Sequence, residues 1–194
     1  MRRGDYLAAI LKSNKTVFTY KDIALLWQET ASPATRVRIN YYVEKGDLVR
    51  IRRGIYAKTP NYNKLELATR VFTPAYVSFE TVLAREGFIF QVYEKVFVAS
   101  YLTREITIDG QTYALRKVKD AVLLNPLGIE HREESSIANN ERAFLDTLYV
   151  NSDYFFDNLQ GLNWEKVFEM LPIYANKRMK KVIDRLYLQS EGKN

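Results

Sequence analysis

The side chains with the most chemistry to offer lie between Ser32 and Lys58, in SPATRVRINYYVEKGDLVRIRRGIYAK. Ser32 can accept a bond from the free N–H groups of a first helical turn. Pro33, next to it, already has a helix-compatible φ and lacks the N–H that would go unpaired there, so a helix begins at this point. With Ile39, Tyr42 and Val43 as its buried stripe, and Thr35 one turn earlier on the same side, Val37, Arg38, Asn40 and Tyr41 fall on the opposite face. An arginine can fork to guanine O6 and N7, an asparagine can pair with the N6/N7 edge of adenine, and an exposed valine can meet a thymine methyl. Gly46, able to take positive φ, ends the helix. Residues 47–52 then alternate with period two, Arg53 and Gly54 supply a turn, and Ile55-Tyr56-Ala57-Lys58 returns as a partner strand. Arg50, Arg52 and Arg53 lie along or at the tip of that hairpin, within reach of phosphates or a minor groove. The candidate DNA contacts are Thr35, Arg36, Val37, Arg38, Asn40, Tyr41, Arg50, Arg52 and Arg53.

Two upstream helical patterns must position this segment. Residues 5–13 place Leu7, Ile10 and Leu11 on one side, and residues 20–27 carry Ile23, Ala24, Leu26 and Trp27, with Thr19 and Asp22 at capping-box spacing. Helix, helix, recognition helix, hairpin is the order of a winged helix-turn-helix. The competing reading is that Arg36, Arg38, Arg52 and Arg53 only solvate a small α+β domain. Charge distribution argues against it. Residues 1–58 hold 12 Lys/Arg and 5 Asp/Glu, whereas residues 59–194 hold 17 and 18, so the excess positive charge sits in the first third. A basic module joined to a near-neutral one is what phosphate neutralisation by one part of a chain produces.

At 194 residues and 47% hydrophobic composition the chain can bury one large core or two small ones. No apolar run approaches the ~18 residues of a membrane span, and no signal-peptide hydrophobic region follows Met1-Arg2-Arg3-Gly4-Asp5. The absence of Cys excludes disulfides and thiolate metal sites and fits a cytoplasmic protein. The turn-forming stretch Thr59-Pro60-Asn61-Tyr62-Asn63 marks a boundary, giving a DNA-binding domain over 1–58 and an α+β domain over 63–190. In the second, helices are predicted at 63–72, 77–86, 140–150, 164–171 and 176–188. Strands are predicted at 96–100, 105–108, 111–115 and 121–124, with Asp109-Gly110 as a hairpin turn.

Catalytic signals are weak. Glu141, Arg142 and Asp146 read as an amphipathic helix with an i,i+4 pair between Arg142 and Asp146, and the alternative is an acidic active site. His131 stands between charged neighbours, without a partner to make it a base. There is no phosphate loop and no His-Glu-x-x-His motif. The one Glu-x-Lys spacing suited to a metal nuclease, Glu191 to Lys193, falls in a polar tail. No cofactor, no metal and no enzymatic activity are expected. The terminal helix holds a second basic face, Lys177, Arg178, Lys180, Lys181 and Arg185, off a stripe of Met179, Val182, Ile183, Leu186 and Tyr187. That face either keeps a docked helix soluble, adds a phosphate contact or meets an acidic partner.

Four segments in order, YVEKGDLVRIRRGIYAK, LATRVFTPAYVSFETVLAREGFI, SIANNERAFLDTLYVN and YFFDNLQGLNWEKV, resemble the AbiEi family of antitoxins and transcriptional regulators. The likeness covers roughly residues 5–188. It implies an N-terminal winged helix that represses its own operon through inverted repeats in double-stranded DNA. It also implies a C-terminal domain that counters a nucleotidyltransferase-like toxin, with which a stable complex is not required. Family members often carry Pro-Glu-Arg or Pro-Glu-Lys where this chain has Asn140-Glu141-Arg142, so entry into that helix differs. The alternatives are a ligand-sensing winged-helix regulator without a toxin partner, and a DNA-binding nuclease.

Overall fold

The structure is a computed structural model and describes residues 3–132, 134–190 and 192. The Glu191 to Lys193 spacing lies outside the described residues. The architecture is α+β, as the sequence predicts, and the chain divides into two compact units, Met1–Val71 and Phe72–Asn194.

The first unit runs α1 (Arg3–Lys12), β1 (Val17–Thr19), α2 (Tyr20–Leu26), α3 (Pro33–Glu44), β2 (Val49–Arg52), β3 (Ile55–Ala57) and α4 (Lys64–Val71). Both predicted helix starts form. The Thr19 hydroxyl accepts from the Asp22 amide while the Asp22 carboxylate accepts from the Thr19 amide, and Ser32 accepts from the amide of Thr35 with Pro33 in the first turn. Gly46 follows the end of α3 at φ +79°, a conformation that lets the chain reverse into the wing. Ile10, Phe18, Ile23, Trp27, Ile39, Tyr42, Leu48 and Tyr56 form the core, so α1, α2, α3 and the sheet contribute to one apolar cluster.

The sheet order is β1-β3-β2, all antiparallel. Sequence periodicity did not predict β1, which has three residues and is extended only because it pairs with β3. Helix α4 also joins this unit. Its buried Glu66 accepts from the amide and the hydroxyl of Thr16, at 2.9 and 2.7 Å. The division of the chain therefore falls after Val71, later than the turn residues at 59–63 suggested.

The second unit is built on a six-stranded mixed sheet of order β6-β7-β5-β4-β9-β8. Its strands are β4 (Ala75–Val77), β5 (Val96–Ser100), β6 (Arg104–Ile108), β7 (Gln111–Lys117), β8 (Ile129–Arg132) and β9 (Ser135–Ala138). Its helices are α5 (Glu80–Arg85), α6 (Asp120–Leu123), α7 (Asn140–Val150), α8 (Trp164–Met170) and α9 (Lys177–Ser190), with a 3-10 turn at Leu171–Tyr174. The predicted hairpin at Asp109-Gly110 forms with both residues at positive φ, 47° and 75°, joining β6 to β7.

Two expectations are corrected and one hairpin was not expected. The helix expected from Val77 starts at Glu80, because Ala75–Val77 is a central strand hydrogen-bonded to β5 and β9 and Phe79 turns the chain at φ +57°. The strand expected at 121–124 is helix α6, four residues whose Val122 and Leu123 are buried. The hairpin β8/β9 stood in a stretch that gave no strand signal.

Candidate nucleic-acid interface

The geometry of the first unit is set by Glu29, in the turn between α2 and α3. Its carboxylate accepts from the Tyr6 hydroxyl at 2.8 Å, the Thr35 hydroxyl at 3.2 Å and Arg38 Nη1 at 2.6 and 2.7 Å, so one acid joins α1 to α3. The Tyr6 hydroxyl, then the Arg38 guanidinium, hold the Glu29 carboxyl below its ordinary value. The Arg38 guanidinium also lies 4.0 Å from the centre of the Tyr6 ring and 5.5 Å from that of Trp27. Trp27 Nε1 in turn donates to the Tyr6 carbonyl at 2.8 Å.

This network corrects two site expectations. Thr35 is fully buried, and its hydroxyl bonds to Glu29 and the Thr30 carbonyl, so it braces the helix start and has no surface to offer a ligand. Arg38, expected to point outward as a base reader, has a side chain only 31% exposed and already paired with Glu29. Glu29 itself was missed. It is nine residues from Arg38 across a turn, a separation that no helical or strand period marks.

Four of the seven remaining candidates come together. Arg36, Asn40, Arg50 and Arg53, with Tyr20, Gly54 and Tyr56, line a cleft of about 670 Å³ between α3 and the wing. Arg50 Nη2 donates to Asn40 Oδ1 at 2.6 Å, which fixes the first wing strand against the recognition helix. The Arg36 guanidinium lies 5.2 Å from the centre of the Tyr20 ring. Val37 stands in solvent, 68% exposed, one residue from Arg36. Tyr41 is half-buried, edge-on to Tyr42 at 5.4 Å, with Lys45 Nζ 4.9 Å from its ring centre. Arg52 is exposed on the wing, where a register shift between Arg50 and Arg52 lets the strand bend. The tip is made by Gly54 at φ +79°, whose carbonyl accepts from the Tyr20 amide at 2.9 Å and so holds the turn on the start of α2.

Charge pairing within the unit is lopsided. Lys15 and Arg70 pair with Asp22, and Arg38 pairs with Glu29. Among the described residues, Arg36, Arg50, Arg52 and Arg53 form no ion pair and the cleft is lined by no acid. Three arginines without an ion pair, Arg36, Arg50 and Arg53, thus gather where the exposed part of α3 faces the wing, an arrangement suited to polyanions.

In the second unit, Arg142 and Asp146 do pair at i,i+4, at 3.4 Å, but both are fully buried. Asp146 accepts from Ser78 Oγ at 2.8 Å and from the Tyr174 hydroxyl at 2.7 Å, while Arg142 donates to the Leu127 carbonyl and the Tyr76 hydroxyl. Burial pushes the Asp146 carboxyl up, with Arg142 opposing. Glu141 accepts from the Asn163 amide at 3.2 Å. Asp146 thus ties α7 to the residue after β4 and to the 3-10 turn, Glu141 ties α7 to the start of α8, and both acids are buried. Asn139 caps α7 through the Arg142 amide, leaving Asn140 in the first helical turn. On α9, Met179 and Ile183 are buried while Lys177, Arg178, Lys180, Lys181 and Arg185 are exposed; Lys180 pairs with Asp184 at 2.7 Å. His131 is exposed, 3.2 Å from Ser136 Oγ. No described helix is long and apolar enough to cross a membrane.

Three helices, the third capped by Ser-Pro and followed by a cationic two-stranded wing, define the winged helix-turn-helix class. Within it, residues 5–57, from α1 to β3, match the family described as transcriptional regulator, AbiEi antitoxin. That family is described as one of transcriptional regulators. No curated protein matches the chain.

Proposed function

We infer that this chain is a double-stranded DNA-binding repressor of the AbiEi antitoxin type, acting in the cytoplasm on inverted repeats of its own operon. The observation that carries the reading is the cleft between α3 and the wing, where Arg36, Arg50 and Arg53 converge with Asn40 and no acid, in a unit whose residues 5–57 match that family. Val37, Asn40 and Arg36 on the exposed side of α3 address bases, and Arg50, Arg52 and Arg53 hold phosphates. The Arg50 to Asn40 bond preorganises the pair for the groove. Residues 72–194 supply the activity against a nucleotidyltransferase-like toxin. That part rests on the resemblance of SIANNERAFLDTLYVN and the segments around it, and needs no lasting contact with the toxin.

Binding to the chain's own promoter, measured by fluorescence anisotropy against a shuffled duplex, tests the reading. Preference for the promoter that Asn40→Ala reduces by about 1–3 kcal/mol supports it. Equal binding to both duplexes removes sequence-specific repression.

A further inference from the structure

The second unit holds a concave site of its own, a cleft of about 620 Å³ that sequence order did not announce. Lys117 ends β7, Lys119 precedes α6, Tyr149 lies near the end of α7, and Asn176, Lys177 and Arg178 open α9; all six line the same cleft. No acid lines it. Arg178 has Asp153 at 3.9 Å, but both side chains are exposed and such a pair contributes little. Lys117, Lys119 and Lys177 form no ion pair among the described residues. Residues 59–194 carry 17 Lys/Arg against 18 Asp/Glu, so four cations in one concavity are a local concentration against a balanced background.

Two first-turn amides of α9 are already occupied, since Asn176 Oδ1 accepts from Arg178 and Met179. Whatever the cleft attracts is held by the side chains. Four like charges drawn together repel one another unless an anion lies among them, and that anion must be compact. The four cations come from the β7–α6 junction and the start of α9 and line one opening, whose volume is within the ~300–1,000 Å³ of small-molecule sites. The Tyr149 ring, 5.4 Å from Tyr174, gives it a fixed wall. We propose that this cleft binds a small anion bearing two or more phosphate groups, which would give the second unit a ligand of its own.

The test uses the full chain and inorganic tripolyphosphate in isothermal titration calorimetry at about 0.15 M salt, with pyrophosphate and sulfate alongside. The expected result is one saturable site per chain, weaker for pyrophosphate and absent for sulfate. The double variant Lys119→Gln/Lys177→Gln weakens it by tenfold or more, about 1.4 kcal/mol. Lys95→Gln, a charge removed elsewhere on the same unit, leaves it unchanged; thermal melting shows that both variants fold. No saturable heat, sulfate binding as well as tripolyphosphate, or equal loss in Lys95→Gln overturns the proposal. So does promoter DNA whose salt dependence becomes shallower in the double variant while tripolyphosphate gives no heat, since the cleft is then a backbone contact. Promoter binding through the first unit is scored separately, so failure of either reading leaves the other standing.

Discussion

Glu29 separates the arginines of α3 into two kinds. Arg38 is drawn to it, over the rings of Tyr6 and Trp27, whereas Arg36 two residues earlier is unpaired in the cleft. Arg38→Ala should therefore act on stability, by about 1–2 kcal/mol for a part-exposed ion pair with its aromatic contact. Differential scanning calorimetry reads this as a fall of several degrees in the transition of the first unit. Arg36→Ala should leave that transition in place and weaken duplex binding; the opposite assignment of the two effects would refute the division. Acid carries a second signature. The Tyr6 and Arg38 contacts depress the Glu29 carboxyl, and bonds from Thr19 and Lys15 depress that of Asp22 by more than burial raises it. Both contribute stability that is present above their ordinary values of 4.5 and 3.8 and is lost as pH falls through the folded-state values. Acid titration followed by Trp27 fluorescence, with Trp164 replaced, should show the first unit weakening below about pH 4.5. Glu29→Gln should make that loss shallower, and an unchanged acid limb would show that Glu29 carries none of it.

Among the elements, those whose ends are marked by caps and turns were legible from sequence and those that exist only through a partner were not. Ser32-Pro33, Thr19 with Asp22, Gly46 and Asp109-Gly110 each act on backbone within three residues, so the bounds of α2, α3 and the β6/β7 hairpin could be read in advance. Strands β1 and β4 have three residues each and are extended only by pairing with β3 and with β5 and β9. The apolar run at 121–124 was too short to tell strand from buried helix. Of the site, Asn40 on the exposed side of α3 and Arg50 and Arg53 on the hairpin stand where the pattern puts them, but periodicity did not place Arg36 beside them, and the retention of Arg38 by a residue across a turn was not legible. The same limit explains the depth of Arg142 and Asp146. Periodicity gave their i,i+4 contact, yet only the sheet and Tyr174 bury it. Arg142→Met should cost the second unit about 3–5 kcal/mol by leaving the Asp146 charge enclosed and unpaired. Removing Arg142 takes away the opposing charge and raises the Asp146 value further, so the deficit should grow as pH rises above the ordinary aspartate value of 3.8. A pH-independent loss in chemical denaturation would show that packing, not the buried charge, was at stake.

At the scale of the whole chain, the assignment of α4 to the first unit makes a prediction about fragments. A fragment of residues 1–71 keeps the Thr16 to Glu66 bonds and the buried Tyr62, Leu67 and Ala68, and should fold and bind duplex; one of residues 1–58 loses them and should be markedly less stable. Circular dichroism melts of the two compare them directly, and equal stability would return the boundary to the turn at 59–63. Whether the cleft between α3 and the wing grips a duplex is decided by the salt dependence of promoter binding. Fluorescence anisotropy of the full chain should give a log–log slope that becomes shallower by about 1 for each of Arg50→Ala, Arg52→Ala and Arg53→Ala. Slopes identical to that of the unsubstituted chain in all three variants would contradict it.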